Sequence, residues 1–281
     1  MSDRVTISIA DGVADVRLNR PDKLNALDPA MFAAIAAAGA EVASNPAVRA
    51  VVLSGEGRAF CAGLDFSSFM AMAGQGSDGD GGGSESSSDA EGDAVNILST
   101  DDRITHLGQQ VAHVWSEVPV PVIAAVWGHC LGGGLQIACG ADLRIVHPEA
   151  KLSILEIRWG LTPDMTITAT LPRLVGIDVA KELTWTGRQI TGAEAHELGL
   201  ATRLSDDPLA DAQALAAELA AKSPHAIRGA KQLFEQSGRV PLAEQYALER
   251  STIGSLIGRP NQVEAVTAFF EKRPPVFADP E

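Results

Sequence analysis

Nowhere in the 281 residues does an apolar run approach the ~18 residues needed to span a bilayer, so no membrane insertion is expected. Cysteine is equally scarce. Cys61, Cys130 and Cys139 form an odd set without a C-x-x-C pair, which argues against both a disulfide framework and a zinc site. Positive charge is also in short supply: 22 Lys and Arg stand against 36 Asp and Glu, a net charge of -14. Such a surface repels phosphate backbones at long range, so a nucleic-acid partner is not expected, although a local basic patch could still hold one small anion. The opening Met1-Ser2-Asp3-Arg4 leads into alternating sequence rather than an apolar secretory segment. These absences together point to a soluble, cytoplasmic protein. What is present fits a globular chain: hydrophobic residues make up 46% and charged residues 21%.

The N-terminus alternates apolar and polar residues through Val5, Ile7 and Ile9, turns at Asp11-Gly12, and alternates again through Ala14, Val16 and Leu18, the pattern of a β-hairpin. Asp28-Pro29 supplies a helix N-cap and a first-turn proline ahead of an Ala-rich run to Val42. The short, nearly all-apolar runs 49–53 and 121–126 read as strands buried on both faces, and 142–146 as a third, less apolar strand. Strands interleaved with helices predict an α/β body. From Asp178 the pattern turns helical, with Thr191-x-x-Glu194 as a capping box, and further helices over 208–222, 224–236, 241–257 and 261–272. The expected division is a core over 1–205 and a C-terminal helical region over 206–281. Within the core, residues 74–93 hold 7 Gly, 5 Ser and 6 acids with no Lys or Arg, a composition too polar to offset its ordering entropy, so a mobile insertion is expected there. It contains Gly74-x-Gly76-x-x-Gly79, but neither a strand before it nor a helix after it supports a dinucleotide site.

The densest chemical signal is the segment from Gly128 to Ala138, whose glycine triplet Gly132–Gly134 follows a buried strand and is placed to open a helix. Glycine lets a ligand approach the backbone, and free N–H groups at a helix N-terminus carry roughly half a positive charge. The segment Ser54 to Asp65 is a second Gly-rich strand end. Two such ends facing one crevice, each offering one N–H to the same oxygen, would make an oxyanion hole.

With these residues in view the resemblance becomes specific. Leu18-Asn-Arg-Pro-Asp-Lys-Leu-Asn-Ala-Leu27, Ala59-Phe-Cys-Ala-Gly-Leu-Asp65 and the run from Pro121 to Gly134 occur in the order and spacing of the crotonase superfamily, and the chain resembles an enoyl-CoA hydratase/isomerase over nearly its whole length. The resemblance implies a spiral of ββα turns with a C-terminal helical trimerisation region, a homotrimer or dimer of trimers, and acyl-CoA substrates. Coenzyme A is then part of the substrate, and no separate cofactor or metal is implied. Carried over by motif, the oxyanion donors are the N–H groups of Leu64 and Gly133. Lys23 and Ala62 fall where the family touches the CoA moiety, with Arg20 a second source of local positive charge, and Asp65 and Gln136 complete the substrate-binding set.

The acid/base positions depart from the hydratase pattern. A hydratase is expected to hold one water between two glutamates, and the first of them is Gln136 here, an amide with no titratable proton. The second is matched by Glu156, and Asp164 follows eight residues later in a position that resembles the dienoyl-CoA isomerase branch. Glu156 and Asp164 are therefore the expected catalytic carboxylates, and a double-bond isomerase is favoured over a hydratase or a non-catalytic acyl-CoA-binding protein. His129, beside the triplet, reads as structural, as do the cysteines.

Overall fold

The computed structural model describes residues 3–65, 67, 100 and 103–280; the insertion expected at 74–93 lies outside the described residues. The N-terminal hairpin forms as read, with β1 (Val5–Ala10) antiparallel to β2 (Val13–Leu18). Its turn residues Asp11 and Gly12 both have positive φ, 51° and 80°, the backbone that an Asp-Gly turn adopts at low steric cost. Helix α1 (Pro29–Ser44) is capped by Asp28, whose carboxylate accepts the Met31 N–H at 2.8 Å. It packs beside α2 (Leu107–Glu117), a helix that the sequence pattern did not signal. The two approach closely at Gly39, where a Cβ would meet Val114 Cγ2 at 2.4 Å.

The parallel strands β3 (Ala50–Gly55), β4 (Val122–Val126) and β6 (Leu143–Val146) follow the expected apolar runs. With the hairpin and the two-residue β9 (Arg203–Leu204) they make a six-stranded sheet ordered β1-β2-β3-β4-β6-β9. One face, through Val51, Leu53, Val122, Ala124 and Val126, joins the main core. The other face, through Ala50, Val52, Ile123, Ala125 and Ile145, packs on Ala212 and Ala216 of α7 (Pro208–Ala220). The strands are thus buried on both sides, as continuous apolar runs require. Helix α7 opens the expected C-terminal region, yet its packing is continuous with the sheet.

A second, three-stranded sheet was not legible in the sequence. Within the glycine-rich segment, β5 (His129–Leu131) pairs in parallel with β7 (Lys151–Ser153), which is antiparallel to β8 (Ile190–Thr191). Helix α3 (Gly133–Gly140) follows β5 directly. Helices α4 (Ile167–Val175), α5 (Ile177–Thr186) and α6 (Gly192–Glu197) complete this side. The capping box expected at α6 is half formed: Thr191 accepts the Glu194 N–H at 3.1 Å, but the Glu194 carboxylate turns to Arg188 at 2.6 Å. An ion pair there competes successfully for the glutamate. The chain ends in α8 (Pro224–Gln236), α9 (Leu242–Leu256) and α10 (Pro260–Glu271), each within a residue or two of its expected bounds.

Candidate active site

The two glycine-rich strand ends meet. Cys61 N–H donates to His129 O at 2.9 Å and Leu131 N–H returns a bond to Cys61 O at 3.0 Å, so residues after β3 run alongside β5. Gly63 has φ +87°, and a Cβ there would lie 2.7 Å from the Leu131 carbonyl oxygen and 3.7 Å from Gly132 Cα. Only glycine fits that approach. Leu64 then follows, and Gly133 opens α3 behind its N-cap Gly132, whose φ is +52°. Neither the Leu64 nor the Gly133 N–H donates to an acceptor among the described residues. Two backbone N–H groups, one of them at a helix N-terminus, thus lack an acceptor among the described residues.

Glu156 enters from β7. The Gly132 N–H donates to Ser153 O at 2.8 Å, tying the glycine loop to β7, and the chain then turns through a short 3-10 segment, Glu156–Trp159. A Cβ on Gly132 would come within 3.3 Å of Glu156 Oε1, so the carboxylate lies against the glycine loop. Gln136, on the first turn of α3, is 1% exposed and donates from Nε2 to Glu156 Oε1 at 2.6 Å. Its own Oε1 accepts the Met165 backbone N–H at 2.9 Å. Glu156 Oε2 is buried and has no hydrogen-bond partner among the described residues. Burial pushes the Glu156 carboxyl above the usual glutamate range and the nearby charge of Asp164 adds to this, while its own backbone N–H and Gln136 pull the other way. Asp164 itself is exposed on the loop ahead of α4. Met165 Sδ and Leu27 Cδ1 close in at 2.9 and 2.8 Å from where a Gly133 Cβ would stand, forming an apolar wall.

The remaining expected residues divide. Lys23 is exposed on a 3-10 turn (Pro21–Lys23), and Ala62 pairs its N–H with Leu24 O at 2.9 Å, which brings that turn to the segment leading into Leu64. Arg20 is not a free cation: Nη1 lies 2.8 Å from Asp65 Oδ2 and 3.6 Å from Asp28 Oδ2 and donates to Ala26 O at 3.1 Å. Asp65 is 8% exposed and is committed to Arg20 and to the Ser67 hydroxyl and N–H, which hold its carboxyl at about 2. Arg20 and Asp65 thus fasten the loop next to Leu64 and offer little to a ligand. Burial pushes the Cys61 and Cys139 thiols up to about 12 and about 11 and raises Cys130 likewise, so no thiolate is available.

Two contributors escaped the sequence reading. Asn25, wholly buried with φ 57°, donates to Glu56 O, Ala59 O and Phe60 O and accepts the Arg20 N–H, pinning the Lys23 turn to the segment that follows β3. An Asn amid apolar residues in the 18–27 motif, in a position that tolerates left-handed backbone, was the available signal. Arg144, 3% exposed, caps the far end of α3 through Ala138 O and Ala141 O and also holds Leu200 O. Nothing in the local sequence distinguished it from a surface arginine.

Residues 13–275 match the family model described as enoyl-CoA hydratase/isomerase. The mouse mitochondrial enoyl-CoA hydratase domain-containing protein 2 is 33% identical over 276 residues, covering 95% of this chain and 84% of its own. Its human counterpart is 32% identical over 273 residues, covering 95% and 85%. Among solved structures, the enoyl-CoA hydratase from Bacillus anthracis superposes with a TM-score of 0.82 at 27% identity, covering 98% of both chains. One from Mycobacterium smegmatis gives 0.77 at 29% identity, covering 97% and 98%.

Proposed function

Because the chain belongs to the enoyl-CoA hydratase/isomerase family, we propose that it shifts the double bond of an enoyl- or dienoyl-CoA thioester by proton transfer, with Glu156 as the base. The observation that carries this reading is the Gln136–Glu156 pair: where a water-adding site needs two carboxylates around one water, this site pairs a half-buried carboxylate with a buried amide. The thioester oxygen would sit between the Leu64 and Gly133 N–H groups. Glu156 Oε2 takes a proton from C2 of a 3-enoyl chain; the C–H electron pair forms C1=C2 and the thioester carbonyl pair moves onto oxygen. The two N–H groups hold that enolate oxygen, a contribution worth on the order of 10²- to 10³-fold for each donor. The dienolate then collapses to C2=C3 as C4 takes the proton back from Glu156. No co-reactant is consumed.

Asp164 is the second carboxylate for chains whose unsaturation reaches further along, where the proton must return at a more distant carbon. Lys23, the exposed cation of its turn, faces the CoA phosphates, and Ala62 lines the same arm. The apolar side chains left exposed on α9 and α10, Leu242, Tyr246, Ile253, Val263, Phe269 and Phe270, support a homotrimer or dimer of trimers. Hydration is the second reading, favoured by the relatives, which are named as enoyl-CoA hydratases. The discriminating experiment compares water addition to 2-enoyl-CoA with isomerisation of 3-enoyl-CoA in the wild type and in Gln136→Glu. Isomerisation should dominate in the wild type, and the variant should gain hydration over a narrow pH range, because two adjacent carboxylates raise one another's pKa. A wild type that hydrates rapidly and leaves 3-enoyl-CoA unchanged would replace this reading with the second. Binding of every acyl-CoA without turnover would leave only a binding protein.

A further inference from the structure

We propose that Gln136 is a positioning residue that reserves one oxygen of Glu156, Oε2, for the substrate proton. This rests on the isomerase reading above but concerns how the base is held. An amide side chain can face two ways, and here the choice is forced. Met165 presents a backbone N–H to the site at 2.9 Å, so the carbonyl end of Gln136 must turn toward it. The NH2 end is left pointing at Glu156 Oε1, 2.6 Å away. The flipped amide would set a donor against the Met165 N–H and an acceptor against a carboxylate oxygen, losing two hydrogen bonds in a region where Gln136 is 1% exposed and water cannot replace them.

A donor fixed against Oε1 makes the two oxygens of Glu156 unequal. Oε1 faces N–H and cannot carry the proton in that direction, whereas Oε2 is buried, has no hydrogen-bond partner among the described residues and so meets no donor that would oppose its taking up a proton. The same bond also keeps the carboxylate from rotating, so the proton is taken up and returned at one place. The charged group acting on Glu156 is Asp164, on the loop ahead of α4; the other polar influences are Gln136 from α3 and the backbone N–H of Glu156 itself. Loss of the Gln136 donor therefore leaves burial and Asp164 less opposed.

The test uses Gln136→Met, which keeps side-chain length and apolar bulk but removes both polar ends. In the ligand-free protein, the Glu156 titration can be followed by its infrared carboxyl band, identified by difference against Glu156→Gln. The midpoint should move to higher pH in Gln136→Met, and the rising limb of kcat/KM for 3-enoyl-CoA should move with it. The turnover number should fall by about tenfold or more with KM within about twofold, as expected when the loss lies in the transition state. Gln136→Asn, one methylene shorter and unable to reach both partners, should resemble the Met variant. An unmoved midpoint with unchanged turnover would overturn the proposal. Should neither variant fold, the wild-type spectrum decides: protonated Glu156 must show a carbonyl shifted by one hydrogen bond, and a free carbonyl would overturn it. Since the infrared arm needs no substrate, a protein that turns over no enoyl-CoA would defeat the isomerase reading and leave this one standing or falling by its own band.

Discussion

At the scale of single residues, the proposed base is held in a state that is costly for the fold. Glu156 titrates above the ordinary range because it is buried, so the folded protein binds its proton more tightly than the unfolded chain does. Stability should therefore decline as pH climbs from the unfolded value through the raised folded one, and the proposed isomerisation, which needs the ionised form, should rise through the same window. Glu156→Gln should accordingly lower turnover by about 10² to 10⁴ with acyl-CoA binding retained, and should leave melting at neutral pH equal to or higher than the wild type. Calorimetry alongside steady-state kinetics checks both halves. Asp65 has the opposite sign. Its carboxyl is held at about 2, so its contribution is present above the ordinary aspartate range and is lost as pH falls toward about 2. Asp65→Asn should cost about 2 kcal/mol at neutral pH, between an exposed and a buried ion pair, and much less near pH 2, measured by urea unfolding across that range. Of these two carboxylates the sequence exposed only the first. Glu156 stood in an apolar stretch, where a carboxylate needs a reason; Asp65 looked like a ligand-binding residue because its partner Arg20 lies 45 positions away and pairing at that distance leaves no local pattern.

At the scale of elements, the site depends on close backbone approach between β5 and the strand end after β3. Gly63→Ala would place a Cβ 2.7 Å from the Leu131 carbonyl at a φ of +87°. A cost of about 1–3 kcal/mol is expected, with turnover falling on the order of 10²-fold as the Leu64 N–H is displaced. Asn25→Ala would strip the Glu56, Ala59 and Phe60 carbonyls of their shared donor, for about 2–4 kcal/mol in denaturant unfolding. Elements announced by strong local chemistry were legible: the Asp-Gly hairpin, the Asp28 cap, the apolar strands and the proline-started C-terminal helices. Those built by tertiary pairing were not. His129–Leu131 is a strand only because Cys61 and β7 flank it. Helix α2 begins at a His106 cap, which no common N-cap rule anticipates.

At the scale of the whole molecule, the described chain leaves Leu242, Tyr246, Ile253, Phe269 and Phe270 at least half exposed on its last two helices, a surface suited to burial between copies. Light scattering at micromolar concentration should therefore show a trimer or a multiple of it, and a monomer would contradict that assembly. Among the described residues no helix is long and apolar enough to cross a membrane, and the acidic balance of the chain remains unfavourable for nucleic acid. What the assembled protein does is most directly tested by incubating it with 2-enoyl-, 3-enoyl- and 3,5-dienoyl-CoA and identifying each product by mass and ultraviolet absorbance. Products of unchanged mass are expected, with the double bond moved toward the thioester from the 3-enoyl or dienoyl substrate, and little water addition to 2-enoyl-CoA. Rapid gain of one water by 2-enoyl-CoA, with the other two thioesters recovered intact, would contradict this expectation.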